Sequence, residues 1–223
     1  MPDVDLRAEA FLFDMDGTLI DSIEAAERIW SRWGHRHGLD VEAFLPTIHG
    51  SRAVDTIGRL GLPGVDPVAE ARMIEREELD DLVGVRQIPG ASAFLASIPE
   101  DRWTIVTSAP RNLASARLRK AGITIPDGMV AGEDVAAGKP APDCFLLGAR
   151  RLGYPIGRCM AFEDAPVGME AAEAAGARLV VVGSARSDRA RHPSLVIEDY
   201  AHVSVRIVDD ALMLTASQRH AVE

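Results

Sequence analysis

Two carboxylates, Asp14 and Asp16, lie one residue apart between the apolar run 10–13 and Gly17. A short apolar run closed by polar residues and glycine is typical of a buried strand and the turn that ends it. A carboxylate placed there could attack phosphorus and be modified covalently, and a second one nearby could transfer a proton. Asp-x-Asp-Gly is also a common turn sequence, so the segment alone leaves both interpretations open.

Two hydroxyl residues, Thr107 and Ser108, end the apolar run 103–106 and are followed by Pro110. Proline favours the first turn of a helix, and the amides at a helix N-terminus bind phosphate oxygens. The segment therefore predicts a phosphate-binding loop. An ordinary cap of the helix predicted over 110–121 explains the same residues equally well.

Two further segments supply charge. Lys139 lies in the proline-rich run 138–143, and Glu163 and Asp164 end the apolar run 158–162. The prolines restrict the backbone around the lysine, which reduces the entropy lost in holding its ammonium in place. A few carboxylates, completed by substrate phosphate and water, suit Mg²⁺. In isolation the lysine is typical of a surface charge, and the acidic pair of a helix N-terminus.

These four segments need a scaffold that brings them together. Apolar runs alternate with helical patterns along the chain, which indicates an α/β fold with a parallel sheet. The predicted strands are 10–13, 103–106, 129–131, 158–162 and 179–182, with 195–197 and 205–207 as added edge pieces. In such sheets ligands bind outside the carboxyl ends of the strands. The four segments would then meet in one crevice.

Residues 21–86 contain no clear strand and show helical periodicity. Asp21 and Glu24 form a predicted capping box at the start of this segment. The predicted helices run from 23 to about 38, and over 41–48, 52–60 and 67–82. An all-helical insert of this size is not an ordinary loop. We therefore predict a discontinuous core domain, 1–20 and 87–223, with a cap domain, 21–86, above the carboxyl edge of the sheet.

Composition limits the function classes. The 223 residues are 47% hydrophobic and 26% charged, which is typical of a globular protein. A net charge of -10 argues against general affinity for nucleic acid or anionic membranes. Any anionic substrate would then need positive charge supplied locally, by a few side chains or a metal. The polar N-terminus and the absence of a long apolar run predict a cytoplasmic protein, and Cys144 and Cys159 are expected to be buried thiols.

Taken together and in this order, the four segments resemble the haloacid dehalogenase-like hydrolase superfamily. The resemblance covers nearly the whole chain, and the helical insert matches the position of the family's C1-type cap. It implies a Rossmann-like core and an aspartyl-phosphate mechanism on small phosphorylated metabolites with Mg²⁺ as cofactor.

The resemblance also implies roles for single residues. Asp14 attacks phosphorus, and Asp16 protonates the leaving alkoxide and later activates water. Thr107, Ser108 and Lys139 bind the phosphoryl group, and Glu163 orients Lys139 or a water on the metal. The implied metal ligands are Asp14, the backbone carbonyl of Asp16, and Asp164.

Within the superfamily, the segments 25–30, 48–52, 103–108 and 138–143 resemble bacterial sugar phosphatases. Glycerol phosphatases and 2-deoxyglucose-6-phosphatases of yeast type share the His-Gly-x-Arg and Thr-Ser segments. By this resemblance His49 and Arg52 lie in a cap loop that faces the core site and recognise the substrate. A helix-joining turn with a solvated arginine is the alternative.

Three rival functions are weighed against a phosphatase. Dehalogenases of the superfamily lack the second aspartate and need no metal, whereas a protonatable group at Asp16 suits an alkoxide leaving group. β-Phosphoglucomutase-like enzymes carry a histidine where this chain has Ala26. A catalytically silent phosphate-binding protein would not need an acid/base group. The sequence thus predicts a Mg²⁺-dependent phosphatase of sugar or polyol phosphate monoesters, working as a monomer or weak homo-oligomer.

Overall fold

The structure is a computed structural model that describes residues 4–183 and 195–216. Its strands are β1 Val4–Ala8, β2 Ala10–Phe13, β3 Ile20–Asp21, β4 Arg86–Gln87, β5 Trp103–Ile105, β6 Cys159–Glu163, β7 Arg178–Val182, β8 Leu195–Ile197, β9 Val203–Val208 and β10 Ala211–Ala216. Its α-helices are α1 Ile23–Arg36, α2 Val41–Phe44, α3 Ala53–Leu60, α4 Pro67–Asp80, α5 Ala91–Ala96, α6 Arg111–Ala121, α7 Asp143–Leu152 and α8 Pro166–Ala175.

A parallel sheet with the strand order β5-β2-β6-β7-β8 forms the centre of the fold. Its middle strands are buried on both faces. Phe11 and Phe13 of β2 belong to one apolar cluster, and Ala10 and Leu12 belong to the cluster on the other face. Strands covered on both sides read as continuous apolar runs, which is why these segments stood out in the sequence. The predicted α/β fold with a central parallel sheet is confirmed.

The register of this sheet aligns the functional segments. Phe13 pairs with Ile105 on one side and with Phe162 on the other. The backbone N–H of Asp14 donates to the carbonyl of Phe162 at 2.9 Å, and that of Val106 donates to Phe13 at 2.7 Å. The residues that follow β2, β5 and β6 therefore emerge side by side at one edge.

The strand predicted over 129–131 was wrong. Only an isolated bridge joins Val130 to Val106, through backbone hydrogen bonds that Val130 exchanges with Ile105 and Thr107. Proline, aspartate and glycine at 126–128 and a 3₁₀ turn at 132–134 leave no length for a regular strand. The segment still lies beside the loop that carries Thr107.

A second, antiparallel sheet of order β1-β10-β9 lies beside the first. The apolar piece 205–207 belongs to β9 in this sheet, whereas 195–197 forms β8 at the edge of the parallel sheet as expected. Leu212 and Leu214 of β10 are fully buried in the same apolar cluster as Phe11. The second sheet therefore covers one face of the core.

Helices α1 to α4 form what we call the helical segment, residues 23–80. Seven buried side chains pack into an apolar cluster of their own: Ile29, Trp30, Trp33, Phe44, Ile48, Ile57 and Ile74. The segment leaves from β3 and returns through β4, which pair with each other. The helices lie where the sequence predicted them, but 41–48 divides into α2 and a 3₁₀ turn at 45–47.

The predicted capping box at the start of α1 was wrong. Ser22 is the N-cap residue, and its hydroxyl donates to Asp16 instead of accepting from the helix. The carboxylate of Asp21 pairs with Arg86 in the β3–β4 hairpin. This end of the helix is therefore tied to the loop after β2.

Two smaller expectations concern the described residues. Cys144 and Cys159 are free and buried, as predicted. Across 4–183 and 195–216, no helix combines the length and the apolar character needed to cross a membrane.

Candidate active site

A cavity lies between the carboxyl edge of the parallel sheet and the helical segment. The core contributes Asp14, Asp16, Thr107, Ser108, Ala109, Pro110, Leu113, Arg117 and Asp164. The other side consists of Ser22, Ile23, Ala26, Trp30, Ile48, His49, Gly50, Ser51, Ala53 and Glu78. Five of the sequence-predicted core residues, Asp14, Asp16, Thr107, Ser108 and Asp164, thus face one space with His49 opposite them.

Asp14 lines the cavity and forms a buried ion pair with Lys139, which is not among the cavity residues. The ammonium nitrogen of Lys139 lies 2.5 Å from Oδ1 of Asp14 and 2.6 Å from Oε1 of Glu163, and it also donates to the carbonyl of Val106 at 3.2 Å. Lys139 is 3% exposed and Asp14 4% exposed. A buried lysine held by two carboxylates and a carbonyl has its orientation fixed. The structure therefore excludes the surface-charge interpretation of Lys139.

Burial and neighbouring charge alter the acidity of this pair. Burial raises the pKa of Asp14 and the negative charge of Glu163 raises it further, and Lys139 only partly offsets them. Burial acts to lower the pKa of Lys139, but the carboxylates of Asp14 and Glu163 outweigh it and leave that pKa above its usual value. The two carboxylates therefore favour the charged form of the lysine. One ammonium faces the three carboxylates of Asp14, Glu163 and Asp164, so the site lacks positive charge.

These three carboxylates are close enough to share a cation. One oxygen from each lies within 4.8 Å of the others. Glu163 is engaged at both oxygens, because Oε1 binds Lys139 and Oε2 accepts from the backbone N–H groups of Asp164 and Ala165 at 3.0 and 3.1 Å. Asp164 accepts from the hydroxyl of Thr18 at 3.3 Å. Both oxygens of Glu163 are thus engaged, so Glu163 is better placed to hold Lys139 than to bind a metal.

Gly17 is required by the close approach of the two loops. It has a φ of +86°, a conformation that L side chains rarely adopt. A Cβ at this position would also overlap the carboxylate of Asp164. The absence of a side chain lets the loop after β2 lie against the Asp164 carboxylate in the loop after β6.

Asp16 lines the cavity and is held by two side-chain hydrogen bonds. Its Oδ1 accepts from the hydroxyl of Ser22 at 2.5 Å and from Nη1 of Arg117 at 3.0 Å. The other end of this guanidinium, Nη2, lies 3.1 Å from Oε1 of Glu78 in α4. Ser22, Arg117 and Glu78 were not among the site residues predicted from the sequence.

A signal for the last two was nevertheless in the sequence. Helix α6 buries the stripe Leu113, Ala114, Arg117, Leu118 and Ala121, and α4 buries Ile74 and Glu78. A charged residue at the spacing of an apolar stripe is unusual in a helix that faces a core. Such residues need a buried partner.

Thr107 and Ser108 lie at the edge of the cavity with different partners. The oxygen of the Thr107 hydroxyl accepts from the N–H of Ala109 at 3.0 Å, which leaves its hydrogen for donation. The hydroxyl of Ser108 donates to the carbonyl of Gly50 at 2.7 Å. Thr107 therefore has hydrogen-bonding capacity toward the cavity, whereas Ser108 ties the core to the helical segment.

The structure separates the two residues predicted in the cap loop. His49 lines the cavity, with Nε2 3.0 Å from Oε1 of Glu27. Arg52 is not among the cavity residues. Its guanidinium is held by Asp55 at 2.6 and 2.9 Å and donates to the carbonyls of Gly132, Val135 and Ala136 at 3.1 to 3.3 Å. Arg52 thus clamps the helical segment onto the core, and neither the predicted substrate contact nor the alternative of a solvated turn describes it.

Comparison with known proteins identifies a family and several relatives. The model of the haloacid dehalogenase-like hydrolase family matches residues 8–176. Hexitol phosphatase A of Escherichia coli (strain K12) is 39% identical over 208 residues, which cover 90% of this chain and 95% of that protein. Glycerol-1-phosphate phosphohydrolase 2 of Saccharomyces cerevisiae is 30% identical over 194 residues, 80% of this chain and 76% of that protein.

Solved structures resemble the whole architecture. A β-phosphoglucomutase from Clostridium difficile superposes with a TM-score of 0.75 over 87% of this chain and 92% of that chain, at 21% sequence identity. At that level of identity the likeness concerns the fold alone.

Proposed function

Since the chain belongs to the haloacid dehalogenase-like hydrolase family, we propose that it is a Mg²⁺-dependent phosphatase of small sugar or polyol phosphate monoesters. One observation carries the proposal: a buried carboxylate, Asp14, is held by Lys139 and lines a cavity that also contains a second carboxylate, Asp16. A nucleophile, a cation and an acid/base group then surround one position for a phosphorus atom. The similarity to hexitol and glycerol-1-phosphate phosphatases supports the substrate class.

In the first step an oxygen of Asp14 forms a bond to phosphorus as the bond from phosphorus to the ester oxygen breaks. The leaving oxygen takes a proton from Asp16, so an uncharged alcohol departs. Lys139 and the Thr107 hydroxyl stabilise the phosphoryl oxygens while negative charge develops on them. The product of this step is an aspartyl phosphate on Asp14.

In the second step a water oxygen attacks the phosphorus of the aspartyl phosphate, and Asp16 takes the proton of that water. The bond between phosphorus and Asp14 breaks, which releases inorganic phosphate and restores the carboxylate of Asp14 and the protonated form of Asp16. Glu163 keeps Lys139 in place throughout, because its second oxygen is fixed by two backbone amides.

The residues of the site fit a divalent cation. The pocket offers only oxygen ligands, it has more negative charge than Lys139 can balance, and Gly17 lets the loop after β2 approach the Asp164 carboxylate. Asp14, Asp164 and the backbone carbonyl of Asp16 would hold Mg²⁺, which when bound lowers the repulsion between the nucleophile and a phosphate dianion. The carboxylate of Asp16 is engaged with Ser22 and Arg117 and remains available for proton transfer.

The helical segment acts as the cap domain over this site, with the boundaries 21–86. Its wall combines apolar side chains of Ile23, Trp30 and Ile48 with the polar groups of His49 and Ser51. Alternating apolar and hydroxyl surfaces suit a polyol, whose carbon chain and hydroxyl groups need both. The cap therefore selects the alcohol part of the ester.

A phosphosugar mutase is less well supported. A mutase must bind a second phosphate on the cap side of the cavity, which needs a cation there. The basic side chains that line the cavity are His49 and Arg117, and Arg117 is already paired with Asp16 and Glu78. Ala26 occupies the cavity wall at the place of the mutase histidine. A catalytically silent phosphate-binding protein is also less well supported, because binding alone would not require a buried nucleophile such as Asp14 or an acid/base group such as Asp16.

The test is a phosphate-release assay on purified protein with hexitol, glycerol and sugar phosphates and an aryl phosphate. We expect turnover with Mg²⁺, loss of turnover on chelation with EDTA, and recovery when Mg²⁺ is added back. Sugar bisphosphates should be poor substrates. A folded, Mg²⁺-supplemented protein that releases no phosphate from the whole panel would rule out the proposed function.

A further inference from the structure

We propose that Arg117 is a positioning residue that fixes the Asp16 carboxylate for proton transfer, with Glu78 as the support that holds Arg117. The inference rests on the proposed function, in which Asp16 is the acid and base. It assigns a role to two charged residues that the nucleophile, the lysine and the metal ligands do not explain.

Burying the charge of Arg117 costs free energy, which a functional role would explain. It is 5% exposed and lies on the buried stripe of α6, between Leu113 and Ala121. An apolar side chain at this position would fill the same space without the cost of removing a charge from water. Two carboxylates from distant parts of the chain, Asp16 and Glu78, converge on it instead.

The guanidinium reaches its two partners with different nitrogens. Nη1 donates to Oδ1 of Asp16 at 3.0 Å, while Nη2 lies 3.1 Å from Oε1 of Glu78. The planar fork of arginine fixes the angle between the two contacts, which the single point charge of a lysine would not do. The direction of the Asp16 carboxylate is therefore tied to the position of Glu78.

Both donors to Asp16 use the same oxygen. Ser22 and Arg117 donate to Oδ1, and among the described residues no donor reaches Oδ2. An acid proton on Asp16 is thereby directed to Oδ2, because Oδ1 already accepts two hydrogen bonds. This arrangement presents one oxygen of the carboxylate, with or without a proton, to the leaving group and later to water.

Glu78 is well suited to hold the arginine. It is 7% exposed, and its Oε1 lies 3.1 Å from Nη2 of Arg117. The Glu78 carboxylate neutralises Arg117, so the pair adds no net charge to the part of the cavity that would receive an uncharged polyol. Glu78 belongs to α4 and Arg117 to α6, so the ion pair also joins the helical segment to the core.

The test compares two esters with Arg117→Met, Arg117→Lys and Glu78→Gln. Departure of an alkoxide requires the proton of Asp16, whereas an aryl oxide is a weaker base and departs without much help. In Arg117→Met, kcat/KM for a hexitol phosphate should fall at least about tenfold more than kcat/KM for an aryl phosphate. Arg117→Lys and Glu78→Gln should show the same bias with smaller losses, and they remain informative where Arg117→Met fails to fold.

Arg28→Gln is the matched control. It likewise removes an arginine–carboxylate ion pair, that of Arg28 with Asp81, but it lies outside the cavity. Arg28→Gln should leave the ratio of the two kcat/KM values, hexitol phosphate to aryl phosphate, unchanged. Equal losses on both esters in the folded Arg117 and Glu78 variants, or a gain on the hexitol phosphate, would overturn the inference and leave the proposed function standing. No turnover of either ester by the wild-type protein would overturn both.

Discussion

The two walls of the cavity are built on different principles. The core wall is formed at strand ends and by the start of α6, and the charged groups Asp14, Lys139, Glu163 and Asp164 at the strand ends and beside them are all at most 6% exposed. The wall formed by the helical segment is largely apolar and is joined to the core by a few contacts. These are the Ser108–Gly50 hydrogen bond, the Arg52 clamp and the Arg117–Glu78 pair.

This difference separates chemistry from selectivity. A buried network of charges allows little change in geometry, since an unpaired charge in it is expensive. The opposite wall can vary its side chains while the network stays intact. Substitutions in the network of Asp14, Lys139, Glu163 and Asp164 should therefore lower turnover of every ester, whereas substitutions in the helical wall should change the preference among esters.

Asp14→Asn should give the largest effect. Asparagine has nearly the same shape but is not a nucleophile toward phosphorus, so kcat should fall by about 10⁴-fold or more on every substrate. Steady-state kinetics on a hexitol phosphate and an aryl phosphate, together with circular dichroism to verify folding, measures it. A folded variant with wild-type kcat would contradict the role of Asp14.

Lys139→Met should lower both activity and stability. It leaves Asp14 and Glu163 buried without their cation, which should cost about 3–5 kcal/mol of unfolding free energy. The double variant Lys139→Met with Glu163→Gln removes one of the stranded charges and should recover part of that loss. Urea denaturation measures both effects in metal-free buffer. Equal stability of the single and double variants would show that Glu163 does not carry the charge that Lys139 balances.

His49→Ala and Arg52→Ala should have different effects, because His49 is proposed to contact the substrate and Arg52 holds the helical segment on the core. His49 lines the cavity, so its loss should lower kcat/KM for polyol phosphates by about tenfold and affect an aryl phosphate less. Arg52 binds Asp55 and core carbonyls, so its loss should lower kcat/KM for both esters by similar factors. Selective loss in Arg52→Ala would restore the specificity role predicted from the sequence.

Gly138→Ala should give the smallest effect. A Cβ there would come within 2.7 Å of the Arg52–Asp55 pair, which must shift, at a cost of about 1–2 kcal/mol. Gly157→Ala is the control, because a Cβ at that position meets nothing within 4 Å. Urea denaturation compares the two variants. Identical unfolding free energies would show that the clamp is too loose to sense the added methyl group.

The core wall could be read from the sequence because it follows apolar runs that only a buried parallel strand explains. Asp14, Thr107 and Asp164 each lie at or just beyond the end of such a run. The second sheet was missed because its signals are weak. The β9–β10 turn uses Asp209 and Asp210 with φ of 47° and 59°, where glycine or asparagine is the usual signal.

The helical wall was harder to predict. Arg117 and Glu78 are separated by 39 positions in the sequence and belong to different parts of the fold, so only their places on buried stripes marked them. Arg52 was assigned to substrate from its motif, but the carbonyls that hold it come from the loop 132–136. No local pattern reveals that contact, because it depends on how the helical segment lies on the core.

The most direct test of the central claim is to trap the phosphorylated enzyme. Wild-type protein mixed with a hexitol phosphate and Mg²⁺, quenched in acid and digested, should yield a peptide containing residue 14 that is heavier by one phosphoryl group. Asp14→Asn, treated in the same way, should yield only the unmodified peptide. Turnover of the ester by wild-type protein with the phosphoryl group on another residue would contradict the account.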